Sequence, residues 1–493
     1  MATEHVSPHT SAPPLENASA PPEFDRRRAW LITAMIVAFM LINYADKSVL
    51  GLAAVPIMDE LDISNSTYGM ISSSFSILFS LSGLLVGFVS SRVSSRALLF
   101  TMAALWAVAQ LPVLVVAAVP TLIAGRVLLG AAEGPAASMS MHALYKWFPL
   151  DRRGLPSALQ ISGAALGTLI AAPVVTWLIT AFGWRSAFAA LAVTSLTWSL
   201  IWWRVGHDGP YGQAAAHPSR RGRTSRTSRT SRPDTTTRLT GPEPEPRSEP
   251  EAQPEPEAQP HELPLPYRKL LLNGTVVGSI AGAFGASWAL AVSHAWLPAY
   301  FRTQLDMTPG GAATLISGIS AFSFVLLLAV SPFADALNRR GVSTRWATGA
   351  PQGIAVIVAG LAMASFPFAG DGRLQILLIA VAFGGHAIVF PLHYMTTAAV
   401  VPTRQRGALF GIVAATGTLP GLIAPSLTGH LLDSAGSQGA GYTISFLVSA
   451  AVMLLSGLTA LVCIRPERDA RRLGLAPGGP ARTQTGASKP LAQ

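Results

Sequence analysis

Four ionisable residues lie within long apolar stretches of this 493-residue chain. Asp46 and Lys47 are adjacent in "LINYADKSVLGLAAVPI", and Arg126 and Glu133 lie seven residues apart in "GRVLLGAAEGPA". A charge at the centre of a membrane helix costs about 2.5–3.5 kcal/mol on insertion scales, and such charges usually mark ion or substrate pathways. These four residues are therefore the first candidates for chemistry.

Helix geometry predicts how the four charges pair. Consecutive residues of an α-helix point about 100° apart, so Asp46 and Lys47 cannot neutralise each other well. Arg126 and Glu133 are two turns apart on one helix face, which is too far for direct contact. We therefore expect crossed pairs between helices, Asp46 with Arg126 and Lys47 with Glu133. The alternative is a network that only fixes two helices together, although buried ion pairs often add little stability.

The charge balance of this cluster predicts coupling between protons and an anion. With all four groups ionised the cluster is neutral, and a bound anion would leave a net negative charge in a low-dielectric site. Protonation of Asp46 or Glu133 restores neutrality and frees Arg126 or Lys47 to meet the anion. We expect Asp46, Glu133 and Arg126 to couple protons, and Lys47 to bind the substrate.

The elements that must position these charges are membrane helices. Half of the residues are hydrophobic and 12% are charged, whereas soluble proteins carry about 25% charged residues. Twelve apolar stretches are each long enough to cross about 30 Å of hydrocarbon as a helix. The predicted spans are 29–58, 67–90, 97–119, 121–147, 155–181, 186–205, 270–301, 311–334, 346–368, 374–400, 407–432 and 441–464. The sequence predicts an all-α integral membrane protein with 12 transmembrane helices in two six-helix bundles.

The distribution of basic residues predicts the orientation of these helices. Arg185, Arg302 and Arg373 lie in the loops of one side, and basic residues in the short loops of the other side outnumber them. The positive-inside rule then places both termini in the cytoplasm. An excess of Arg over Lys indicates a bacterial source, so the predicted location is the bacterial cytoplasmic (plasma) membrane. The net charge of +10 is thus explained by topology, and no nucleic-acid partner is expected.

The chain divides into two halves joined by a linker. The predicted parts are a disordered cytoplasmic N-tail (1–28), an N-terminal bundle (29–205), a disordered cytoplasmic linker (206–269), a C-terminal bundle (270–464) and a cytoplasmic C-tail (465–493). The linker contains "RRGRTSRTSRTSR" followed by an acidic, proline-rich run, which cannot bury a core. We interpret it as a spacer, with lipid attachment or phosphorylation as the alternatives. Two six-helix repeats with a site at their interface are typical of transporters.

Six motifs follow one another along the chain, namely "NYADKSVLGLAAVPI", "GRVLLGAAEGPA", "KWFPLDRRG", "GWRSAF", "WLPAYF" and "SPFADALNRRG". Together they resemble the major facilitator superfamily, and within it the anion:cation symporter group of sugar-acid, phthalate and organic-anion permeases. The resemblance implies the fold of that superfamily and alternating access. It also implies that the carboxylates of Asp46 and Glu133 carry protons and that the base at position 47 binds substrate.

The chain departs from the family pattern in a loop that restrains conformational change. The family's loop between helices two and three usually carries an aspartate, where this chain has Ser91 in "GFVSSRVSSR". The copy in the second half keeps Asp335. The resemblance therefore implies a conformational-loop motif of Arg92, Asp335 and Arg339. The family often has Arg where this chain has Lys47, a compact cation that holds a carboxylate less directionally.

Four further residues are candidates for substrate binding. Tyr44 precedes the charged pair, at a position where the family places an aromatic hydroxyl against substrate. Gln160 is assigned either to the cavity or to helix packing. His386 and His393 lie seven residues apart on one predicted helix, and a membrane histidine can titrate or bind an anion. The alternative for both is a histidine bonded to a neighbouring helix.

No catalytic motif is present, since the chain lacks a nucleotide-binding P-loop, an H-E-x-x-H metal motif and paired-cysteine spacing. We expect a secondary transporter without a cofactor or metal that acts as a monomer in membrane lipid. Its predicted function is proton-coupled symport, in the uptake direction, of a small organic anion such as a sugar acid or an aromatic or aliphatic carboxylate. The alternatives are proton-antiport efflux of a drug or metabolite, and a transporter-like sensor.

Overall fold

The computed structural model describes residues 25–89, 93–149, 152–212, 265–370, 372–402 and 405–475. Every regular element within these ranges is helical. The predicted N-tail, most of the linker and most of the C-tail lie outside the described residues, as does Arg92.

The first half of the chain, residues 25–212 and here called the N half, is built around a split fourth span. Its helices are α1 (Arg26–Leu52), α2 (Ala54–Leu61), α3 (Asn65–Val89), α4 (Ser95–Val115), α5 (Val119–Glu133), α6 (Ala136–Tyr145), α7 (Gly154–Phe182) and α8 (Trp184–Val205). Asp25 begins α1 by accepting a hydrogen bond from the Arg28 amide at 3.1 Å. Gly134 and Pro135 separate α5 from α6, because proline lacks the amide hydrogen that a continuous helix requires.

The second half, residues 265–475 and here called the C half, contains similar breaks. Its helices are α9 (Tyr267–Leu271), α10 (Gly274–Thr303), α11 (Pro309–Arg339), α12 (Ala350–Ser365), α13 (Arg373–Gly384), α14 (Val389–Ala398), α15 (Arg406–Gly417), α16 (Pro420–Ser434), α17 (Gln438–Cys463) and α18 (Pro466–Arg472). A 3₁₀ turn over Gly385–Ile388 separates α13 from α14. Broken helices of this kind are common at transporter sites, because they leave polar backbone groups near the membrane centre.

Among the described residues, ten stretches are long and apolar enough to cross a membrane. The serine-rich α3 and the broken α5–α6 pair fill the second and fourth positions of the predicted order. The first predicted span is shorter than expected, because α1 ends at Leu52 and α2 begins at Ala54. The prediction of an all-α fold with twelve spanning elements in two bundles is confirmed.

Aromatic packing holds each half together. In the N half, the rings of Phe39 and Trp106 stack with centroids 4.3 Å apart. In the C half, Phe366 and Phe446 pack at 4.7 Å. The halves meet mainly through five helix pairs, α3 with α16, α7 with α11, α1 with α10, α3 with α15, and α2 with α10.

The two ends of the molecule differ in how the halves contact each other. We call the end where α1 begins the terminal end, and the end where α1 finishes the far end. At the far end, Asp433 of α16 accepts hydrogen bonds from the Asn65 amide at 3.1 Å and the Ser66 amide at 2.7 Å, at the start of α3. Tyr68 donates to the carbonyls of both Leu50 and Ala295. The halves are therefore joined at the far end.

At the terminal end, the polar contacts among described residues stay within one half. Lys146 forms an ion pair with Asp208 at 3.3 Å in the N half. In the C half, Asp469 accepts from the Thr275 amide at 2.9 Å and pairs with Arg468 at 2.9 Å. Every hydrogen bond between the halves that involves described residues lies in the middle or at the far end. The structure is thus closed at the far end.

Candidate functional site

Lys47 and Glu133 form an ion pair buried between α1 and α5. Lys47 Nζ lies 3.3 Å from Glu133 Oε2, and the Glu133 side chain is fully buried. Lys47 also donates a hydrogen bond of 2.6 Å to Asn43 Oδ1, one turn earlier on α1. The structure brings this expected pair together, and Asn43 was missed by the sequence analysis although it is an amide within an apolar run.

Asp46 faces a different partner from the one expected. Its Oδ1 accepts a hydrogen bond of 3.0 Å from Gln110 Nε2 on α4. Arg126 donates instead to the main-chain carbonyl of Asp46, with Nη1 3.3 Å from that oxygen. The expected contact between the two side chains is replaced in this way because the Asp46 side chain points towards α4, whereas Arg126 approaches from α5. Gln110 was the missed partner, and its signal was a lone amide in an apolar helix.

Aromatic rings surround the two buried cations. Lys47 Nζ lies 4.4 Å from the ring centroid of Tyr44 and 5.3 Å from that of Phe79. The Arg126 guanidinium lies 5.9 Å from the ring centroid of Phe75. Ring faces attract cations and offset part of the cost of removing them from water. These contacts help the site to hold both positive charges inside the membrane.

Glycines bring the helices close enough to form this cluster. A Cβ atom at Gly130 would overlap the Phe75 carbonyl, and one at Gly134 would overlap the Phe79 carbonyl. The absence of side chains at these positions lets α3 and α5 touch by their backbones. On the other side of α1, a Cβ at Gly167 would lie 2.8 Å from the Tyr44 Cβ. Gly130, Gly134 and Gly167 therefore position the aromatic rings beside Arg126 and Lys47.

A cavity lies between the halves next to this cluster. It encloses about 840 Å³ of atom-free space, including the part open to solvent. Tyr44 and Ser48 line it from α1, Thr168 from α7, and His294 from α10. Tyr44 is the link between the charged cluster and the cavity, because its ring faces Lys47 and also forms part of the wall.

The histidines and Gln160 differ in their relation to this cavity. His386 lines it from the 3₁₀ turn between α13 and α14, as the sequence analysis expected of a substrate-binding residue. His393 and Gln160 are not among its lining residues. His393 Nδ1 lies 3.2 Å from the Val389 carbonyl. Gln160 donates to Ser140 Oγ at 2.8 Å, which packs α7 against α6.

His294 is among the lining residues that the sequence analysis missed. It contributes to the cavity wall from α10, and its Nδ1 lies 3.0 Å from the Leu290 carbonyl. A histidine in the seventh predicted span was a visible signal that the sequence analysis did not single out.

The conformational-loop motif is the remaining predicted site. Asp335 and Arg339 both lie on the last turns of α11 and are exposed at the terminal end. Arg92 lies outside the described residues. Among the described residues, no group of three or more His, Cys, Asp or Glu side chains is placed to hold a metal ion.

Comparisons with known proteins agree with this arrangement. The profile of the Major Facilitator Superfamily matches residues 36–392. The D-galactonate transporter of Escherichia coli O6:H1 (strain CFT073) is 25% identical over 450 residues, which cover 91% of this chain and 97% of that protein. The hexuronate transporter of Bacillus subtilis (strain 168) is 23% identical over 433 residues, covering 86% and 92%.

A solved structure shows the same fold. The bacterial homologue of the human lysosomal transporter Spinster, in its inward-facing and unoccupied conformation, matches with a TM-score of 0.68 at 12% sequence identity. The match covers 90% of this chain and 98% of that one. The fold and the buried site together define a multi-pass membrane transporter and not an enzyme. The chain belongs to the major facilitator superfamily.

Proposed function

We propose that this transporter is a proton-coupled symporter that takes up a small organic anion, such as a sugar acid or an aromatic or aliphatic carboxylate. The observation that carries the proposal is the buried Lys47–Glu133 pair at 3.3 Å, beside the Tyr44 ring that lines the cavity. D-galactonate and hexuronate, the substrates named for two relatives, are organic anions and support the choice of substrate charge.

The coupling step is an exchange of partners at Lys47. While Glu133 is ionised, the Lys47 ammonium is held by that carboxylate and by Asn43. A proton on Glu133 removes its negative charge and weakens the attraction that holds the ammonium. Lys47 can then turn past Tyr44 to meet the carboxylate of the substrate. The anion and the proton enter together because either one alone would leave an uncompensated charge in the buried site.

Asp46 is proposed to be the second proton carrier. One of its oxygens is held by Gln110, and the other has no hydrogen-bond partner among the described residues. Arg126 is tied to the Asp46 main chain and therefore stays near the carboxylate whether or not the carboxylate is charged. We assign Arg126 the role of keeping a positive charge beside the two acids.

The orientation of the halves assigns the state that is described. With both termini in the cytoplasm, the closed far end faces outwards and the state described is closed to the outside. Opening then requires the α3–α16 and α1–α10 contacts to separate while the terminal end closes, which is alternating access. We propose that the transporter works in this way as a monomer in the bacterial cytoplasmic membrane.

The test uses purified full-length protein in liposomes, offered labelled organic acids under an inward proton gradient. We expect accumulation that an uncoupler abolishes and that Asp46→Asn and Glu133→Gln each remove. The matched control is Glu60→Gln, because Glu60 bonds Arg185 at the far end of the N half, outside the cluster. This variant should accumulate substrate as the wild type does.

Two results would contradict the proposal. If preloaded cationic or neutral compounds leave the liposomes as protons enter, and no acid accumulates, the protein is an efflux antiporter. If acids accumulate equally in the wild type and in both acid variants, transport of the anion does not depend on these carboxylates.

A further inference from the structure

His294 lines the cavity from the C half, at the crossing of α10 with α1. The two helices touch at Gly51, where a Cβ atom would overlap the His294 carbonyl oxygen. Lys47 lies four residues before Gly51 on α1, which is about 6 Å along the helix axis. Lys47 and His294 therefore approach the same helix crossing from opposite halves.

The hydrogen bond at Nδ1 decides what His294 offers to a ligand. A carbonyl oxygen only accepts hydrogen bonds, so the contact with Leu290 at 3.0 Å places the hydrogen on Nδ1. In the neutral ring Nε2 is then left as a hydrogen-bond acceptor. An acceptor recognises a hydroxyl group and does not recognise a carboxylate oxygen.

The larger part of the remaining wall is apolar, and Thr168, Ser293, Ser320 and His386 also line it. The side chains that line it include Leu290, Leu297, Ile316, Ile319, Phe383 and Phe390. The hydroxyls of Ser48 and Ser323 donate to carbonyls of their own helices at 2.9 and 3.0 Å. No amide or charged side chain belongs to the described lining. Such a wall favours a body with few polar groups.

We propose that His294 selects a substrate hydroxyl next to the carboxylate, so that the preferred substrate is a small 2-hydroxy carboxylate with an apolar body. Its carboxylate binds Lys47, its hydroxyl donates to His294 Nε2, and its body contacts the apolar wall. A carboxylate and an adjacent hydroxyl, each with a hydrogen bond of about 2.8 Å, can bridge two groups that are about one helix turn apart. This inference rests on the proposed anion transport and deepens it.

The experiment compares matched acids in liposomes under an inward proton gradient. Mandelate is paired with phenylacetate, and 2-hydroxyisovalerate with isovalerate, and protein-free liposomes correct for passive entry of the acids. We expect each hydroxy acid to drive proton entry about tenfold more effectively than its partner, as for the loss of one hydrogen bond. His294→Ala should reduce that ratio to about one, and His294→Gln should restore part of it through its amide oxygen.

His393→Gln is the control, because His393 makes the same kind of bond to the carbonyl four residues earlier but does not line the cavity. Its ratio should match that of the wild type. Equal transport of both members of each pair, or an unchanged ratio in His294→Ala, would overturn the inference and leave the proposed symport standing. Transport of D-galactonate without transport of mandelate or 2-hydroxyisovalerate would also overturn the inference and leave the proposed symport standing. Failure of every acid to move protons would overturn both proposals.

Discussion

The two halves of this transporter carry different chemistry. Within the membrane, the buried charges of the described residues, Asp46, Arg126 and Glu133, all belong to the N half, where they cluster with the half-buried Lys47 among α1, α4 and α5. The C half contributes imidazoles, serines and aromatic rings to the cavity. Its own buried acid, Asp469, lies beyond the end of α17.

This difference indicates a division of tasks in a fold made of two similar bundles. Under the proposed function, the N half handles protons and net charge, and the C half recognises the shape and hydrogen-bonding groups of the substrate. The crossing of α1 with α10, where the two halves meet, is enough to link the two tasks. Each prediction below tests whether a residue belongs to the task of its half.

The largest effect is expected from Glu133→Gln, which removes the titrating group that faces Lys47. Uptake against a gradient should fall by roughly a hundredfold, the upper range of a coupling free energy between two sites. Exchange of labelled for unlabelled substrate should continue, because it needs no net movement of protons. The measurement is the ratio of counterflow to proton-driven uptake in the same liposomes. Loss of exchange as well would show that Glu133 holds the substrate site together and does not act only as a proton carrier.

A smaller effect is expected at the contact between the halves. Asp433→Asn weakens the hydrogen bonds that the Asp433 carboxylate accepts at the start of α3. It also removes a negative charge that interacts favourably with the dipole of α3. We expect the far end to open more often, by about tenfold in the equilibrium constant. Hydrogen exchange in the first turn of α3 should rise accordingly.

Glu60→Gln is the control for this second prediction. Glu60 pairs with Arg185 at 2.5 Å within the N half, and hydrogen bonds from Arg185 and Trp184 lower the pKa of its carboxyl. Its removal should leave exchange in α3 unchanged. An equal rise in both variants would mean that the far end loosens for any lost charge, and that Asp433 has no special role in joining the halves.

The third prediction concerns the placement of Tyr44. Gly167→Ala puts a methyl group 2.8 Å from the Tyr44 Cβ and 3.0 Å from the Leu41 carbonyl, so α1 or α7 must shift. Overpacking of this kind costs about 1–3 kcal/mol of stability, and we expect a lower Tm together with weaker substrate binding. Gly154→Ala on the same helix has open space around it and should change neither. Normal substrate binding in Gly167→Ala would mean that the position of Tyr44 does not affect the binding site.

The smallest effect is expected at Asp469, which tests whether the buried acid of the C half is structural. Burial raises the pKa of this carboxyl, but hydrogen bonds from Arg468 and Thr275 outweigh burial and hold the pKa below its ordinary value. A carboxyl group whose pKa is lowered by folding stabilises the folded state at pH values above its unfolded pKa of about 4. This stabilisation is lost as the pH falls through the pKa of the folded state.

Asp469→Asn should therefore lower stability by about 1 kcal/mol near neutral pH and by less in acid. Thermal unfolding in detergent at several pH values measures this difference, and proton coupling in liposomes should be unchanged. A change in proton coupling would contradict the hypothesis that only the N half handles protons.

The sequence determined the membrane helices, the four buried charges and the pairing of Lys47 with Glu133. It did so because long apolar runs have one stable form in lipid, and a charge within such a run needs a partner. The sequence shows Asn43 and Gln110 as amides in apolar helices. It does not show which residues they contact, because those contacts depend on how the helices are rotated and how they cross.

Only the tertiary structure decided the position of Arg126 on the Asp46 backbone, the exclusion of His393 and Gln160 from the cavity lining, and the presence of His294 there. These depend on close backbone contacts at glycines such as Gly51 and Gly130, which set how far each helix is turned. A period of 3.6 residues assigns a side chain to a face of its helix. Which neighbour that face meets is settled by packing between helices that are distant in the sequence.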